Sequence, residues 1–290
     1  VADFRLEDLK TKLRAQREAA GLQSLDAMRA GMEAVVARVR IDPRVTVTTG
    51  EIGHRACEWL RPEDARNGAA ILYLHGGGFV AGSCTSHRPL ASSLALASRR
   101  DICVLDYRLA PEHPWPNAEQ DALAAYRDLW AQGFAAKDIA IVGDSAGGGL
   151  AVSTLLNARN EGFALPGCAV LFSPWVDLDL EGDSIVSRAS VDPTTRADAL
   201  ARYALQYRGP TAGPHILYAD LHGLPRILIQ AGDDEILRDD SVRLDASLTA
   251  AGVESTLEIG PGLFHVWQAF GPWLQEAREA IARAAAFLNA

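Results

Sequence analysis

The sequence predicts an α/β protein, a mostly parallel sheet with helices covering both faces. Three observations carry the prediction. From residue 45 onward, short β-branched or aliphatic runs alternate with longer Ala/Leu-rich segments, and strands separated by helices pair in parallel. The chain has 290 residues, 48% of them hydrophobic, enough to bury a full-sized core. The stretch GDSAG at 143–147 joins one buried apolar run directly to one Ala/Leu-rich segment, so a sharp strand-to-helix turn is expected there.

The elements follow in order. Apolar positions recur at helical spacing over residues 3–18, and Ser24 is suited to cap a second helix that runs to about residue 38. Strands are expected at VTVTTG (45–50), GHRACEWL (53–60) and AAILYL (69–74), then a helix near 88–98. DICVLDY (101–107), a helix near 118–131, IAIVG (139–143), a helix after Ser145 and CAVLFS (168–173) continue the alternation. A helix near 240–251 lies between RILIQAG (226–232) and STLEIG (255–260), and a last helix covers about 274–289. Residues 177 to about 222 break the pattern with polar, proline-containing, helix-prone sequence between two buried strands. An insertion at the carboxyl edge of an open parallel sheet overlies the place where ligands bind in such folds. It is therefore read, together with residues 1–44, as a helical cap on a single domain spanning 1–290.

Composition removes several classes of function. The formal charge is −9, with no cluster of Lys and Arg to serve as a nucleic-acid footprint. No window approaches the roughly 18 apolar residues that span a bilayer, and the opening segment is charged and amphipathic, unlike a signal peptide. The expected location is the cytoplasm. Cys57, Cys84, Cys103 and Cys168 form no C-x-x-C pair, so they are read as small buried hydrophobes and not as metal ligands or disulfides.

HGGGFVAGS at 75–83 poses a choice. Gly76, Gly78 and Ala81 fit the dinucleotide fingerprint G-x-G-x-x-G/A, and Asp106 ends the next apolar run. The same glycines could instead turn backbone N–H groups toward an oxyanion. A dinucleotide fold starts its helix within the glycines. Here Gly82, a polar run and Pro89 intervene, and a helix is expected only from about Ser86 or Arg88, which favours the oxyanion reading.

Gly143, Ser145 and Gly147 form G-x-S-x-G with a strand before and a helix after. A serine there sits in strained backbone geometry, and small neighbours two positions away remove the clash. An activated serine needs a base, and in this arrangement the order is serine, acid, histidine. Of His54, His75, His87, His113, His215, His222 and His265, only His265 follows the last strand and precedes the final helix. For the acid, Asp233, Asp234 and Glu235 all sit at the exit of RILIQAG; Asp239 and Asp240 look like first-turn helix acids, and Asp177 and Asp179 could serve from another loop. Asp234 is preferred. Tyr107, Arg108, Glu112 and His113 are expected to brace neighbouring loops, and Asp144 to be a supporting acceptor.

HGGGF (75–79), DYRLAPEHPWPN (106–117), GDSAGG (143–148), SPWVDL (173–178) and FHVWQ (264–268) together resemble the hormone-sensitive-lipase-like esterases over nearly the whole chain. The resemblance implies the α/β-hydrolase fold with a helical cap, and hydrolysis of short- to medium-chain carboxylic esters through an acyl-enzyme. It implies Ser145 as nucleophile, His265 as base, and the backbone N–H groups of Gly77, Gly78 and Ala146 as oxyanion donors. Asp234 matches the acid, because GDDEILRDD resembles the family's G-x-D-E-[VI]-L variant, although many members read D-P-L and this chain has Glu235 in place of that proline. The chemistry needs neither metal nor organic cofactor, its partner is a small-molecule ester, and a homodimer is expected. The rivals are a lactone, amide or carbamate hydrolase with the same residues, and a non-catalytic small-molecule receptor of the same fold. A serine at the elbow disfavours the dehalogenase and epoxide-hydrolase mechanisms, which use an aspartate nucleophile.

Overall fold

A computed structural model describes residues 5–21, 24–36, 39–211 and 213–290. Residues 3 and 4 of the first expected helix, and 37 and 38 at the end of the second, lie outside the described residues. In chain order the elements are α1 (Leu6–Ala20), α2 (Leu25–Val36), β1 (Val45–Ile52), β2 (Arg55–Pro62), β3 (Ala70–Leu74), α3 (Cys84–Ser98), β4 (Asp101–Leu105) and α4 (Asn117–Ala131). They continue with β5 (Ile139–Asp144), α5 (Ala146–Asn160), β6 (Cys168–Phe172), α6 (Ser184–Ser187), α7 (Ala197–Arg208), β7 (Arg226–Gly232), α8 (Arg238–Ala250), β8 (Ser255–Gly260) and α9 (Gln275–Asn289).

The strands form one sheet in the order β1-β2-β4-β3-β5-β6-β7-β8. From β4 to β8 every pairing is parallel, and only β1–β2 and β2–β4 are antiparallel. This is the α/β-hydrolase fold. β1 and β2 form a hairpin closed by Gly53 and His54, both at positive φ (55° and 63°), as a two-residue turn matched to strand twist requires.

Alternation along each strand divides the core. Leu72 and Leu74 face one side, with α4, α5 and α8, while Ile71 and Tyr73 face the other, with α3 and α9. Each such fully buried aliphatic side chain contributes about 2 kcal/mol by leaving water. The parallel register sets Leu74 beside Gly143 and Phe172 beside Gln230, so the loops after β3, β5, β6 and β7 emerge on one edge.

Helix α3 begins at Cys84, earlier than expected. Ser83 caps it by accepting the Ser86 N–H, and Ser86 Oγ accepts the Ser83 N–H in return. Pro89 lies inside the helix without ending it. Helix α1 lays Leu6, Leu9 and Leu13 on a small cluster with Leu263, Phe264 and Trp267, which flank His265. The insertion supplies α6 and α7, and Tyr207 of α7 stacks on Phe79, with ring centroids 3.7 Å apart. Among the described residues no helix is long and apolar enough to cross a membrane.

Candidate active site

Ser145 stands between β5 and α5 at φ 53°, ψ −122°, a conformation that strains any non-glycine residue. The strain is held by close packing. A Cβ on Gly147 would overlap the Leu74 carbonyl oxygen, and one on Gly143 would overlap the Gly147 carbonyl, so no side chain fits at either position. The turn is fastened by Ser145 N donating to Phe172 O and by Trp175 N donating to Ser145 O, both at 2.9 Å. The Ser145 hydroxyl is thereby aimed at the loop after β8.

That loop brings His265. Its Nε2 lies 2.9 Å from Ser145 Oγ. Val266, next in the chain, adopts φ 51° and donates its N–H to Ser173 Oγ at 3.0 Å, which fixes the loop beside β6. The other ring nitrogen, Nδ1, lies 3.0 Å from Glu235 Oε2, and Glu235 is fully buried.

The expectation for Asp234 therefore fails on geometry: the carboxylate on the imidazole is that of its neighbour, Glu235. Asp234 turns the other way and takes Lys10 Nζ of α1 at 2.6 Å. Asp233 pairs with Arg188 and Arg238, each at 3.1 Å. Three consecutive acids at a strand exit point in different directions, and the two that meet cations are taken out of the site. Glutamate's extra methylene gives Glu235 the reach to Nδ1. The acids considered elsewhere are also occupied, Asp177 by Arg243 at 2.5 Å, Asp179 by Arg208 at 2.7 Å, Asp239 by the Ser184 N–H and Asp240 by the N–H groups of Val176 and Asp177.

The acid loop is held from several sides. Asp234 N donates to Leu263 O at 2.8 Å, tying it to the histidine loop. Asp192 of the insertion accepts the Ile236 N–H at 2.9 Å on one carboxylate oxygen and those of Thr194 and Thr195 at 2.8 Å on the other. Burial alone would lower the His265 pKa, but the hydrogen bond and charge of Glu235 overcome it and hold the imidazole above its ordinary value.

Gly77 and Gly78 face Ser145 and His265 across one cavity, at φ 120° and 65°. Among the described residues no protein acceptor takes the N–H of Gly77, Gly78 or Ala146, the first residue of α5. Unclaimed amides beside a nucleophile can receive a developing oxyanion. The cavity measures about 510 Å³; α1 and α2 supply Met28 and Met32 to its wall, and α7 supplies Leu200 and Tyr203. Its wall combines these apolar side chains with Arg17 of α1 and Thr194, Thr195 and Arg196 of the insertion.

The loop after β4 supports this arrangement. Tyr107 donates to His75 O at 2.6 Å, Arg108 forks onto Asp121, and Asp106 accepts the Cys84 N–H at 2.7 Å. Glu112 instead meets Arg29 of α2 at 2.8 Å, and the His113 backbone N–H donates to Leu109 O. Asp144 accepts the Tyr73 hydroxyl and the Gly76 N–H, as expected of a supporting acceptor. Sequence reasoning missed Lys10, Asp192 and the part played by Glu235. Of these only Asp192 carried a local signal, since Asp-Pro-Thr-Thr suits a carboxylate that caps the following N–H groups.

The model of the alpha/beta hydrolase fold family matches residues 71–269. The chain belongs to that family. It is a hormone-sensitive-lipase-like member of the alpha/beta hydrolases, as its solved neighbours indicate. A crystal structure of an esterase from the bacterial hormone-sensitive lipase family is 38% identical, with a TM-score of 0.94 over 99% of this chain and 98% of that one. A crystal structure of EstE5 soaked with p-nitrophenyl butyrate is 42% identical, with a TM-score of 0.94 over 98% of this chain and 97% of that one. An acetyl-hydrolase of Streptomyces hygroscopicus is 43% identical over 82% of this chain and 81% of its own length. This hydrolase thus shares its fold with the two solved structures.

Proposed function

We propose that this hydrolase is a serine carboxylesterase acting on short- to medium-chain esters through an acyl-enzyme, with Ser145 as nucleophile, His265 as general base and acid, and Glu235 as the orienting acid. The observation that carries the reading is the continuous line from Ser145 Oγ to His265 Nε2 at 2.9 Å and from Nδ1 to Glu235 at 3.0 Å, beside three unclaimed amides. The chain is a carboxylic ester hydrolase, and names such as acetyl-hydrolase and ethyl acetate hydrolase among its relatives support small acyl groups.

His265 takes the Ser145 proton as Oγ attacks the ester carbonyl. Glu235 holds the proton on Nδ1 and offsets the positive charge that forms on the ring. The alkoxide rests on the amides of Gly77, Gly78 and Ala146. His265 then protonates the leaving alcohol and activates the water that frees the acid. The cap proposed for residues 1–44 and about 177–222 is supported by Met28 and Met32 from the first and Leu200 and Tyr203 from the second, which line the cavity that holds the serine. A homodimer, as the resemblance implies, is read by sedimentation as twice the 31.1 kDa chain mass.

The test is a fluorophosphonate label together with turnover of p-nitrophenyl butyrate. Wild type is expected to give both and Ser145→Ala neither. Folded wild-type protein that does neither overturns the reading.

A further inference from the structure

The oxyanion loop rests on a buried histidine that the reaction does not consume. His87, in the first turn of α3, is 9% exposed and lies on the wall of the same cavity as Ser145 and His265. Its Nε2 stands 3.3 Å from Asp144 Oδ2 and 3.2 Å from the Gly76 N–H. Its Nδ1 stands 2.9 Å from Ser86 Oγ. The Gly76 N–H also lies 3.1 Å from Asp144 Oδ1, which already accepts the Tyr73 hydroxyl at 2.8 Å.

One amide therefore has two competing acceptors, and the protonation of His87 chooses between them. With its single proton on Nδ1, the ring donates to Ser86 and Nε2 takes the Gly76 N–H; Asp144 Oδ2 is then left without this donor. With its single proton on Nε2, the ring serves Asp144, but Nδ1 draws the Ser86 hydroxyl away from Ser83 O, to which that hydroxyl donates at 3.0 Å. Only the imidazolium serves Asp144 and Ser86 together and leaves the Gly76 N–H wholly to Asp144. Asp144 keeps the Tyr73 hydroxyl on Oδ1 throughout, but its buried Oδ2 is costly to leave without a donor, so the fully paired arrangement is favoured.

The groups facing His87 agree with a charged ring. Asp144 reaches it from β5, and Glu33 of α2 bonds to the Ser83 hydroxyl that caps its helix. From β3, the His75 and Tyr73 rings lie 5.3 and 6.3 Å away by centroid. Burial pushes His75 down to about 4, leaving it neutral. Arg88, the next residue on α3, is neutralised by Glu58 at 2.5 Å. His265 lines the same cavity. Against the effect of burial, Asp144 raises the pKa of His87 and is itself lowered by it.

We propose that His87 is a positioning residue for the oxyanion hole: as an imidazolium paired with Asp144, it commits the Gly76 N–H to Asp144 and so fixes the direction in which the following amides of Gly77 and Gly78 point. This rests on the serine-esterase reading of the site. His87 is charged below its raised pKa and loses its proton as pH rises through that value. Turnover should then fall on an alkaline limb belonging to His87, while the acid limb belongs to His265, which must be neutral to act as base.

The experiment compares wild type with His87→Leu and His87→Gln, whose amide N–H can still donate to Asp144 but cannot titrate. His87→Leu should lose at least about tenfold in kcat with KM little changed, because misdirected donors weaken transition-state binding and not substrate binding. Its affinity for a trifluoromethyl ketone, which forms a tetrahedral adduct on the serine, should fall by a similar factor. His87→Gln should recover most of that loss and lack the alkaline limb. In nitrogen-15 histidine spectra of the wild type at about pH 6, both ring nitrogens of His87 should carry protons. A Leu variant with wild-type kcat and ketone affinity, an alkaline limb unchanged in the Gln variant, or a neutral His87 at that pH each overturns the proposal. If the Leu variant does not fold, the Gln variant and the spectra decide. Failure of the esterase reading looks different, since wild type would neither label nor turn over while the spectra still report on His87.

Discussion

Replacing Glu235 with glutamine should lower kcat by about three orders of magnitude, whereas Asp234→Asn should stay within about tenfold of wild type. The Glu235 carboxylate lies 3.0 Å from His265 Nδ1, and the residue has no solvent exposure, so little water screens the pair. As Ser145 attacks, the ring gains a full positive charge. With charge centres about 4 Å apart and an effective dielectric constant of about 20, the carboxylate stabilises that charge by about 4 kcal/mol. At 1.36 kcal/mol per factor of ten, this corresponds to about a thousandfold in rate. Glutamine keeps the size and shape of the side chain, so the substitution removes the charge with little change in packing.

Asp234→Asn removes a different interaction. Lys10, almost wholly buried, would keep Glu7 at 2.9 Å but lose Asp234, so the loss falls on the docking of α1 and shows as a lower Tm. Steady-state hydrolysis of p-nitrophenyl butyrate, with circular dichroism to confirm folding, separates the two outcomes. A Glu235→Gln enzyme retaining more than about a tenth of wild-type kcat, beside an Asp234→Asn enzyme that loses most of it, would refute the assignment.

Further outcomes follow from the same geometry. The rate should rise with pH as His265 loses its proton, with a midpoint above the ordinary histidine value; in Glu235→Gln that midpoint should move down, because burial then acts without the opposing charge. Gly77→Ala should cost about a hundredfold in kcat, since φ 120° and the Ala81 carbonyl leave no room for a Cβ and the donor amide must shift. Tyr203→Ala should move preference toward longer acyl or alcohol chains, by about fourfold in kcat/KM for each methylene the enlarged cavity accepts, read from a series of p-nitrophenyl esters.

The parts of the site that are local in sequence were legible. Strand, tight turn and helix around Ser145 occupy about twenty consecutive residues, and the position of His265 after the last strand left no rival among the histidines. The acid was not legible to one residue, because Asp233, Asp234 and Glu235 are sorted by Arg188, by Lys10 and by the reach of glutamate. Lys10 is 224 positions from its partner, and nothing near either residue announces the contact. The start of α3 was missed for a different reason. Pro89 weighed against a helix, while the reciprocal Ser83 and Ser86 bonds that start it are a weaker pattern than the Ser-to-Glu capping box. The fold class needed no such contacts, because alternating strands and helices fix a parallel sheet without reference to any one pair.

The segment before β1 joins the two halves of the reaction centre. At one end, Lys10 holds Asp234, and Arg17 donates to the carbonyl of Asp192, whose carboxylate in turn holds the Ile236 amide beside Glu235. At the other, Arg29 donates to Val80 O at 2.8 Å and Glu33 meets Ser83, both within the turn that carries Gly77 and Gly78. Acid and oxyanion donors lie on separate loops of the sheet edge, and these contacts hold both loops against one pair of helices. Loosening α1 and α2 should therefore disturb charge stabilisation on both sides of Ser145 at once. Lys10→Met and Glu33→Gln act on opposite ends of the same pair, so if the pair docks as a unit their combined loss of kcat should differ from the product of the single losses. Independent effects that simply multiply would mean that each loop is held on its own.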